Sequence, residues 1–439
     1  MGTKTRLETG SVLKIEIIRT SRRLPRRNQE KGVSIELSNW ISFRDEDLRR
    51  RYSRARIPMN TLIESYLDEK LDLKGDLQDL MRDKDLFVNY RLTLDQAKFF
   101  FQKFIPSVIQ HTRKVDRKLV TDHYDRGNDF FEAFLGPVMV YTSAVFKGRE
   151  DTVEAAQLQK LDYVAGKLQL KPNERLLDVG CGWGTLVAHM AERYGVDATG
   201  VTIAKNQAEF GTKRIADKKL SSRARILAID YRDIPPGTYD KISVLEMAEH
   251  VGIKHFQKFL RQLNGLLADQ GLLYLQIAGL RRNWGAEDFT WGMFMSKYIF
   301  PGADASLPLS FVTNQLEKAG FEIHSVENVG IHYSYTIDRW YQNWIRNREK
   351  VVAAYGERWF RLWYVFLGWS VLIAEQGRST CFQIIANKNL PSFNRHRWIG
   401  EKVALTEFSP RPQLVPPIAA SSVPVSQVDV MRADSPPAD

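Results

Sequence analysis

The sequence predicts an α/β fold of the Rossmann-like type, in which helices cover both faces of a doubly wound sheet. An apolar run ending at Leu176, Leu177 and Val179 is typical of a buried strand, and alternating glycines follow it directly. Behind the glycines, TLVAHMAERYG keeps its apolar residues at helical spacing. GLLYLQIAG, the aromatic helices of 337–375 and STCFQIIANKNL then continue the alternation of strand and helix.

The turn LLDVGCGWGTL predicts a ligand site. Gly180, Gly182 and Gly184 allow a turn tight enough for a ligand to meet the backbone, and Asp178 lies at the end of the strand. The helix amides that face this crevice favour a nucleotide-type ligand. A dinucleotide is the alternative, but its fingerprint is GxGxxG rather than GCGWG, and no acid follows the next strand, VDATGVTI, to hold a ribose.

Four motifs occur in order along the chain: DVGCGWG, GVTIAKNQ, AIDYRDIP and YDKISVLEMAEHVG. In this order they resemble the motifs of the class I S-adenosylmethionine-dependent methyltransferases. The resemblance implies that residues 178–250 bind S-adenosylmethionine as a cofactor. An NAD-binding or non-catalytic Rossmann-like domain is the alternative.

The amino-acid composition indicates which kinds of partner the chain can bind. The chain has 439 residues, with 63 Lys and Arg against 52 Asp and Glu, a formal net charge of +11. That excess of positive charge suits binding to an anionic surface, either phospholipid or nucleic acid.

The sequence has two cysteines, Cys181 and Cys381, which are too few for a disulfide framework or a zinc cluster. Their number favours a reducing compartment and no metal. No run reaches the roughly 18 to 20 apolar residues of a spanning helix, and the nearest, 359–374, suits either the core or a membrane interface.

Further motifs narrow the family. HYDRGNDFF, EMAEHVG, SKYIFPGADA and HYSYTIDRWYQNW together resemble the cyclopropane-fatty-acid synthase and mycolic acid methyltransferase family, from about Thr121 to Leu390. QIAGLR, KYIFPGADAS and NREKVVAAYGERWFR resemble the fungal sphingolipid C9-methyltransferases of that family almost letter for letter. The resemblance implies methylation of carbon at a double bond in a lipid chain.

The predicted regions, in order, are 1–56, 57–119, 120–393 and 394–439. The first is basic and without periodicity, which indicates a loosely ordered segment. The second is helical, and its apolar face around Phe100 suits either core packing or membrane docking. The third is the methyltransferase domain, with an aromatic-rich insertion at about 280–345 expected to roof an acyl-chain pocket. The fourth is Pro and Ser rich, as in disordered tails.

The family's cofactor motifs map onto this sequence residue by residue. The resemblance assigns four residues to the methionine end, two to the ribose, two to the adenine, and an aromatic-hydroxyl pair that closes over the methionine. In that order they are Asp178, Gly180, Gly182, Gly184, Thr202, Gln207, Asp230, Tyr231, Tyr141 and Thr142. Each also has a purely structural interpretation, such as turn capping by Asp230 or packing by Tyr231.

The resemblance also implies a catalytic centre. In cyclopropane synthases a glutamate, a histidine, a tyrosine and a cysteine backbone hold a bicarbonate ion that takes a proton. Glu249 and Tyr333 match two of these, whereas Gln276 stands at the histidine position and Ser143 at the cysteine position. Glutamine can hydrogen-bond bicarbonate but cannot carry a proton, so bicarbonate as the base stays open. We predict Glu249, Tyr333 and Gln276 as catalytic, Glu249 either positioning the base or acting as one with a pKa raised by an apolar pocket.

The proton that is lost decides the product. Methyl transfer to an alkene leaves a carbocation, from which a base must remove a proton. Loss from the new methyl group closes a cyclopropane, and loss from the methylated carbon leaves a methyl branch. Gln276 and Ser143 recur in the sphingolipid branch of the family, so the resemblance implies C9-methylation of a Δ8-unsaturated sphingoid base. A cyclopropane-fatty-acyl-phospholipid synthase is the first alternative, and an inactive lipid-binding relative is the second.

The expected partners are a membrane lipid and an anionic membrane surface. A nucleic-acid methyltransferase would carry a base-reading motif such as NPPY where this chain has EMAEHVG, so no nucleic acid is expected. We expect a membrane-associated enzyme on the cytosolic face of the endoplasmic reticulum or Golgi. The sequence predicts no oligomeric state.

Overall fold

Seven strands form a central sheet, and fifteen helices surround it or build a second layer, in the part of the chain that the structure describes. The computed structural model describes residues 37–104, 126–301 and 307–399. The helices are α1 Glu46–Tyr52, α2 Met59–Leu67, α3 Leu77–Arg82, α4 Lys84–Phe87, α5 Leu94–Phe99, α6 Asn128–Leu135, α7 Val153–Lys167, α8 Thr185–Tyr194, α9 Lys205–Asp217, α10 Ile253–Leu266, α11 Ala286–Phe294, α12 Leu309–Lys318, α13 Gly330–Arg346, α14 Arg348–Tyr355 and α15 Glu357–Glu375. The strands are β1 Ile41–Phe43, β2 Ile57–Pro58, β3 Leu71–Leu73, β4 Val88–Asn89, β5 Arg175–Val179, β6 Asp197–Val201, β7 Ala224–Leu227, β8 Tyr239–Leu245, β9 Leu267–Leu280, β10 Phe321–Asn328 and β11 Ser379–Lys388.

The central sheet has the strand order β10-β11-β9-β8-β5-β6-β7. Strands β5 to β9 pair in parallel, and β11 runs antiparallel to both β9 and β10. The chain leaves β5 towards β6 and β7 on one side and then returns to β8 on the other. This reversal opens a crevice at the carboxyl ends of β5 and β8, where open α/β sheets bind ligands. The predicted α/β fold with a doubly wound sheet is confirmed.

Helices cover both faces of the sheet, as the alternation of apolar strands and helices requires. On one face, α7 and α8 pack on the sheet through a core that includes Leu161, Val187 and Leu272. On the other, α10 and α12 pack through a core that includes Phe256 and Leu316. Burial on both faces explains why β5 and β8 read as near-continuous apolar runs.

A third core joins the two ends of the described chain. Residues of α2 and α3 pack with residues of α6, α13 and α15 in one apolar cluster. The backbone N–H of Leu77 donates to the Tyr364 hydroxyl at 3.1 Å, across 287 residues of sequence. Arg361 is buried here and donates to the Tyr66 carbonyl and the Asp72 carboxylate, both at 2.9 Å. Burial confirms the core interpretation of 359–374, and the interfacial one is wrong.

Two region boundaries differ from those expected. Residues 37–56, assigned to a loosely ordered segment, instead form a 3-10 helix, β1 and α1, because Leu37 and Ile41 are buried and Asp45 caps α1. Residues 1–36 and 105–125 lie outside the described residues, as do 400–439 of the expected tail. The chain is ordered beyond residue 393, since Trp398 stacks on His324 at 3.6 Å between ring centroids.

The expected insertion at 280–345 is only partly an addition to the sheet. It contains α12 and β10, which is an edge strand of the central sheet. The part around α11 lies outside the α/β layers, whereas α13 packs on α15 and α6 and also on β11 of the sheet. Within the described ranges, no helix is both long and apolar enough to cross a membrane.

Candidate active site

The glycine turn after β5 forms the floor of a cavity in the crevice. The N–H groups of Gly180 and Cys181 both donate to the Val201 carbonyl, at 2.9 and 3.0 Å, which holds the turn against β6. Gly180 has φ +84°, and a Cβ there would lie 2.6 Å from the Met247 side chain. Gly182 also lines the cavity, and a Cβ there would meet no protein atom within 4 Å. The turn therefore leaves room for a ligand beside the backbone.

Buried charged side chains lie beside the glycine turn, where the sequence predicts the methionine end of the cofactor. Asp178 accepts a hydrogen bond from the Ser243 hydroxyl at 2.7 Å, and burial raises the pKa of Asp178 to about 6. Lys160 donates to the Thr142 hydroxyl at 3.0 Å, and burial lowers the pKa of Lys160 to about 8. All of these residues except Ser243 border the cavity. Sequence reasoning missed Lys160, because a lone lysine in a helix reads as a surface residue.

The predicted ribose and adenine residues line the same cavity. The Thr202 hydroxyl donates to the Gln207 amide oxygen at 2.8 Å. The Asp230 carboxylate accepts two hydrogen bonds from the Arg232 guanidinium, at 2.8 and 2.7 Å. The Tyr231 ring meets Phe259 edge-on at 5.1 Å between centroids. Asp230 is therefore engaged by its own neighbour, which fixes the orientation of the carboxylate at the cavity wall.

The Tyr141 ring lines the cavity on the side of the helical layer, and further aromatic rings pack behind it. Tyr141 packs edge-on against Trp340 at 5.5 Å and tilted against Phe300 at 6.0 Å between centroids. Tyr333 also packs edge-on against Trp340, at 6.3 Å between centroids. These rings come from the loop before α7, from α13 and from the segment after α11. Tyr141 and the rings packed behind it form an aromatic wall, which excludes water from this side of the cavity.

The structure brings most of the predicted residues together. The predicted cofactor residues that line the cavity are Tyr141, Thr142, Asp178, Gly180, Gly182, Thr202, Gln207, Asp230 and Tyr231. Gly184 is not among them: it is the N-cap residue before α8, and a Cβ there would lie 3.1 Å from Gly211 of α9. Glu249, Gln276 and Tyr333 lie behind the cavity rather than on its wall, and all three interact with a fourth residue, Glu246.

Glu246 is the functional candidate that sequence reasoning missed. Its carboxylate lines the cavity and accepts hydrogen bonds from the backbone N–H of Ser143 at 2.8 Å and the side-chain amide of Gln276 at 2.6 Å. The Tyr333 hydroxyl also donates to it, and Cys381 Sγ lies 3.6 Å away. Burial raises the pKa of Glu246, whereas these donors oppose the rise. The sequence feature that could have identified Glu246 is that it is a second carboxylate, three residues before Glu249.

Glu249 has a different environment. One carboxylate oxygen accepts the backbone N–H of Ala278 at 2.5 Å, and the other has no hydrogen-bond partner among the described residues. Burial, with a contribution from the Glu246 charge, raises the pKa of Glu249 to about 8. The surroundings of Glu249 therefore favour its neutral form.

Comparisons with known proteins agree with this geometry. Residues 111–384 match the family model for mycolic acid cyclopropane synthetase. The chain is 46% identical over 389 residues to sphingolipid C9-methyltransferase A of Emericella nidulans, an alignment that spans 87% of this chain and 75% of that one. It is 46% identical over 381 residues to sphingolipid C9-methyltransferase of Komagataella phaffii, spanning 84% and 78%.

A solved structure extends the likeness to the fold. The mycolic acid cyclopropane synthase CmaA1, complexed with SAH and CTAB, superposes with a TM-score of 0.60 at 27% identity, over 62% of this chain and 98% of that one. SAH is the product that S-adenosylmethionine leaves after methyl transfer. The resemblances drawn from the motifs, the fold class and the cofactor are thereby confirmed.

Proposed function

The chain belongs to the mycolic acid cyclopropane synthetase family, and we propose that it transfers a methyl group from S-adenosylmethionine to C9 of a Δ8-unsaturated sphingoid base in a sphingolipid. The observation that carries the substrate is the identity of 42 to 47% to six sphingolipid C9-methyltransferases over most of the chain. Two residues behind the cavity support it, because Gln276 and Ser143 replace the histidine and cysteine that the resemblance assigns to ring-closing relatives.

The residues of the cavity fit S-adenosylmethionine. Gly182 leaves open space beside the backbone, and the buried Asp178 would face the methionine end from the same cavity. Thr202 and Gln207 would hold the ribose, with Asp230 and Tyr231 beside the adenine. When bound, the cofactor supplies an electrophilic methyl group on a positively charged sulfur. The chain's own part is to orient the lipid double bond, to exclude water behind the aromatic wall and to remove a proton.

The product of the reaction tests the proposal. We expect cells that produce this protein with Δ8-unsaturated sphingolipids, unsaturated phospholipids and methyl-deuterated methionine to make a branched sphingoid base that retains all three deuterons. Retention follows because the proton leaves the methylated carbon rather than the new methyl group. Mass spectrometry of the lipids measures it. A phospholipid product with two deuterons would mean ring closure instead, and cells without the protein provide the baseline.

We also propose that the enzyme meets its lipid at the cytosolic face of an endoplasmic reticulum or Golgi membrane. Leu94, Phe101 and Trp284 are 82%, 68% and 54% exposed, although each is apolar. The Phe100 ring, directly after α5, meets Phe289 of α11 edge-on, and Phe289 stacks on Trp284. Arg281 and Arg282 are exposed next to Trp284. Apolar and aromatic side chains beside basic ones suit the interface of an anionic membrane.

Membrane docking can be tested at Phe101. Replacing Phe101 with aspartate is expected to lower binding to phosphatidylserine-containing vesicles at least about tenfold, because a buried Phe contributes about 1.5–3 kcal/mol and the new charge adds repulsion. Sedimentation with vesicles measures the bound fraction. Leu158→Asp is the control, since Leu158 is also apolar and 45% exposed but lies on α7. Equal losses in the two variants would contradict docking through the Phe101 surface.

A further inference from the structure

The donors that the family resemblance assigns to a bicarbonate ion converge here on a side chain of the protein itself. The backbone N–H of Ser143, the amide of Gln276 and the hydroxyl of Tyr333 all donate to the Glu246 carboxylate. The Gln276 amide is held in this orientation because its oxygen accepts the Gln383 amide at 3.0 Å. Strand pairing places Gln276 directly opposite Gln383. The three donors that would hold a bicarbonate ion are therefore already bonded to a carboxylate of the protein.

The backbone at Glu246 is held in an unfavourable conformation. Its φ is +50°, in the left-handed region, and its N–H donates to the Gln276 carbonyl at 2.8 Å. A non-glycine residue in that region costs on the order of 1 kcal/mol or more, whereas glycine adopts it freely. Glutamate thus occupies a position that suits glycine better, at the wall of the cavity. Backbone strain at such a place is typical of a functional side chain.

The environments of the two carboxylates separate their roles. Glu246 accepts several hydrogen bonds and lies near the Lys160 ammonium, all of which favour its anionic form. Glu249 accepts one N–H and leaves its second oxygen without a partner among the described residues, which favours its neutral form. When two neighbouring acids differ in this way, the one with more donors acts as the base. Glu246 is also the one of the two that lines the cavity.

We propose that the Glu246 carboxylate takes the place of bicarbonate and is the base that completes the reaction, which makes the enzyme independent of bicarbonate. In the step concerned, the methylated carbon of the cationic lipid loses a proton. The C–H electron pair restores the carbon–carbon double bond, and the proton forms an O–H bond on Glu246. The positive charge of the lipid and the negative charge of the carboxylate cancel. This inference rests on the proposed methyl transfer to a lipid double bond.

Two variants of Glu246 and a control test the inference on purified full-length enzyme. Glu246→Gln keeps the shape and an oxygen acceptor but cannot take a proton. Glu246→Gly removes the side chain, frees space for a small anion and relaxes the backbone. Lys219→Gly is the matched control, because Lys219 has φ +56° and is exposed on the turn after α9. Sphingoid-base methylation is measured with and without added bicarbonate or formate, and S-adenosylhomocysteine binding is measured by calorimetry.

The expected results separate this inference from the proposed function. Wild-type rates should not change when bicarbonate is removed. Both Glu246 variants should lose about 100-fold or more of the rate while binding S-adenosylhomocysteine within about threefold of wild type. Formate or bicarbonate should restore at least about tenfold in Glu246→Gly, and formate should raise the melting temperature of that variant alone. Lys219→Gly should match wild type in rate.

Two results would overturn the role of Glu246: wild-type activity that falls when bicarbonate is removed, or Glu246→Gln at the wild-type rate. If the wild-type enzyme forms no methylated sphingoid base, the proposed function fails instead. If wild type forms the product and Glu246→Gln forms it at the same rate, the proposed function stands and only the role of Glu246 as the base is wrong.

Discussion

Replacing Gly180 with alanine is expected to abolish measurable binding of S-adenosylhomocysteine and to destabilise the fold by about 3 kcal/mol. The φ of +84° disfavours a side chain by about 1–2 kcal/mol, and the new Cβ would lie 2.6 Å from Met247 Cβ and Cγ. These Met247 atoms lie next to its backbone and cannot swing away. The turn must therefore move, and the Val201 carbonyl that holds it would lose its two donors. Calorimetry and urea unfolding measure the two effects.

Gly377→Ala is the matched control for this prediction. Gly377 has φ +62° at the end of α15, and a Cβ there would meet nothing within 4 Å. The backbone strain of alanine at this φ should lower the free energy of unfolding by only about 1 kcal/mol. The variant should bind S-adenosylhomocysteine as wild type does. If Gly180→Ala behaved like Gly377→Ala in both measurements, the contact with Met247 would not limit the cofactor site.

Replacing Glu249 with glutamine is expected to remove a large part of the pH dependence of stability. The pKa of Glu249 is raised by burial from 4.5 to about 8, so the folded state keeps a proton that the unfolded state releases. The stability from this proton is complete below about pH 4.5 and is lost as the pH rises through about 8. With about 1.4 kcal/mol for each pKa unit, the wild-type free energy of unfolding should fall by a few kcal/mol across that window.

The Glu249→Gln variant has no such proton, and its amide oxygen can still accept the N–H of Ala278. Its free energy of unfolding should therefore fall less with rising pH, and urea titrations between about pH 5 and pH 8 measure the difference from wild type. Glu209→Gln, at an exposed position of α9, should follow the wild-type curve. Parallel curves for wild type and Glu249→Gln would mean that Glu249 is ionised in the folded protein.

The cofactor side of the site could be predicted because its residues follow strand ends in sequence order. Gly180, Thr202 and Asp230 come after β5, β6 and β7, and parallel strands bring such positions to one edge of a sheet. The local sequence is sufficient to predict these positions, because a glycine turn and an acidic residue at a strand end depend on few contacts with distant parts of the chain. Gly184 is the exception: its spacing matched the motif, but its neighbour is the packed helix α9.

The proton-accepting side could not be predicted in the same way. Glu246 and Glu249 both belong to the motif EMAEHVG, and the sequence does not show which of them the donors face. That choice depends on the register of β9 with β11 and on the loop that carries Ser143, contacts more than 100 residues apart. Strand β10 was missed because it is an edge strand with mostly half-exposed side chains, which leaves little apolar alternation.

The core that joins α2 and α3 to α15 has a consequence for biosynthesis. Leu77 emerges from the ribosome 287 residues before its partner Tyr364. At about 5–20 residues per second, the first half of this core waits about 15–60 s for the helix that covers it. Its apolar side chains stay uncovered meanwhile, which makes them targets for chaperones that protect nascent chains. Truncation before α15 should therefore yield an aggregating product rather than a smaller folded enzyme.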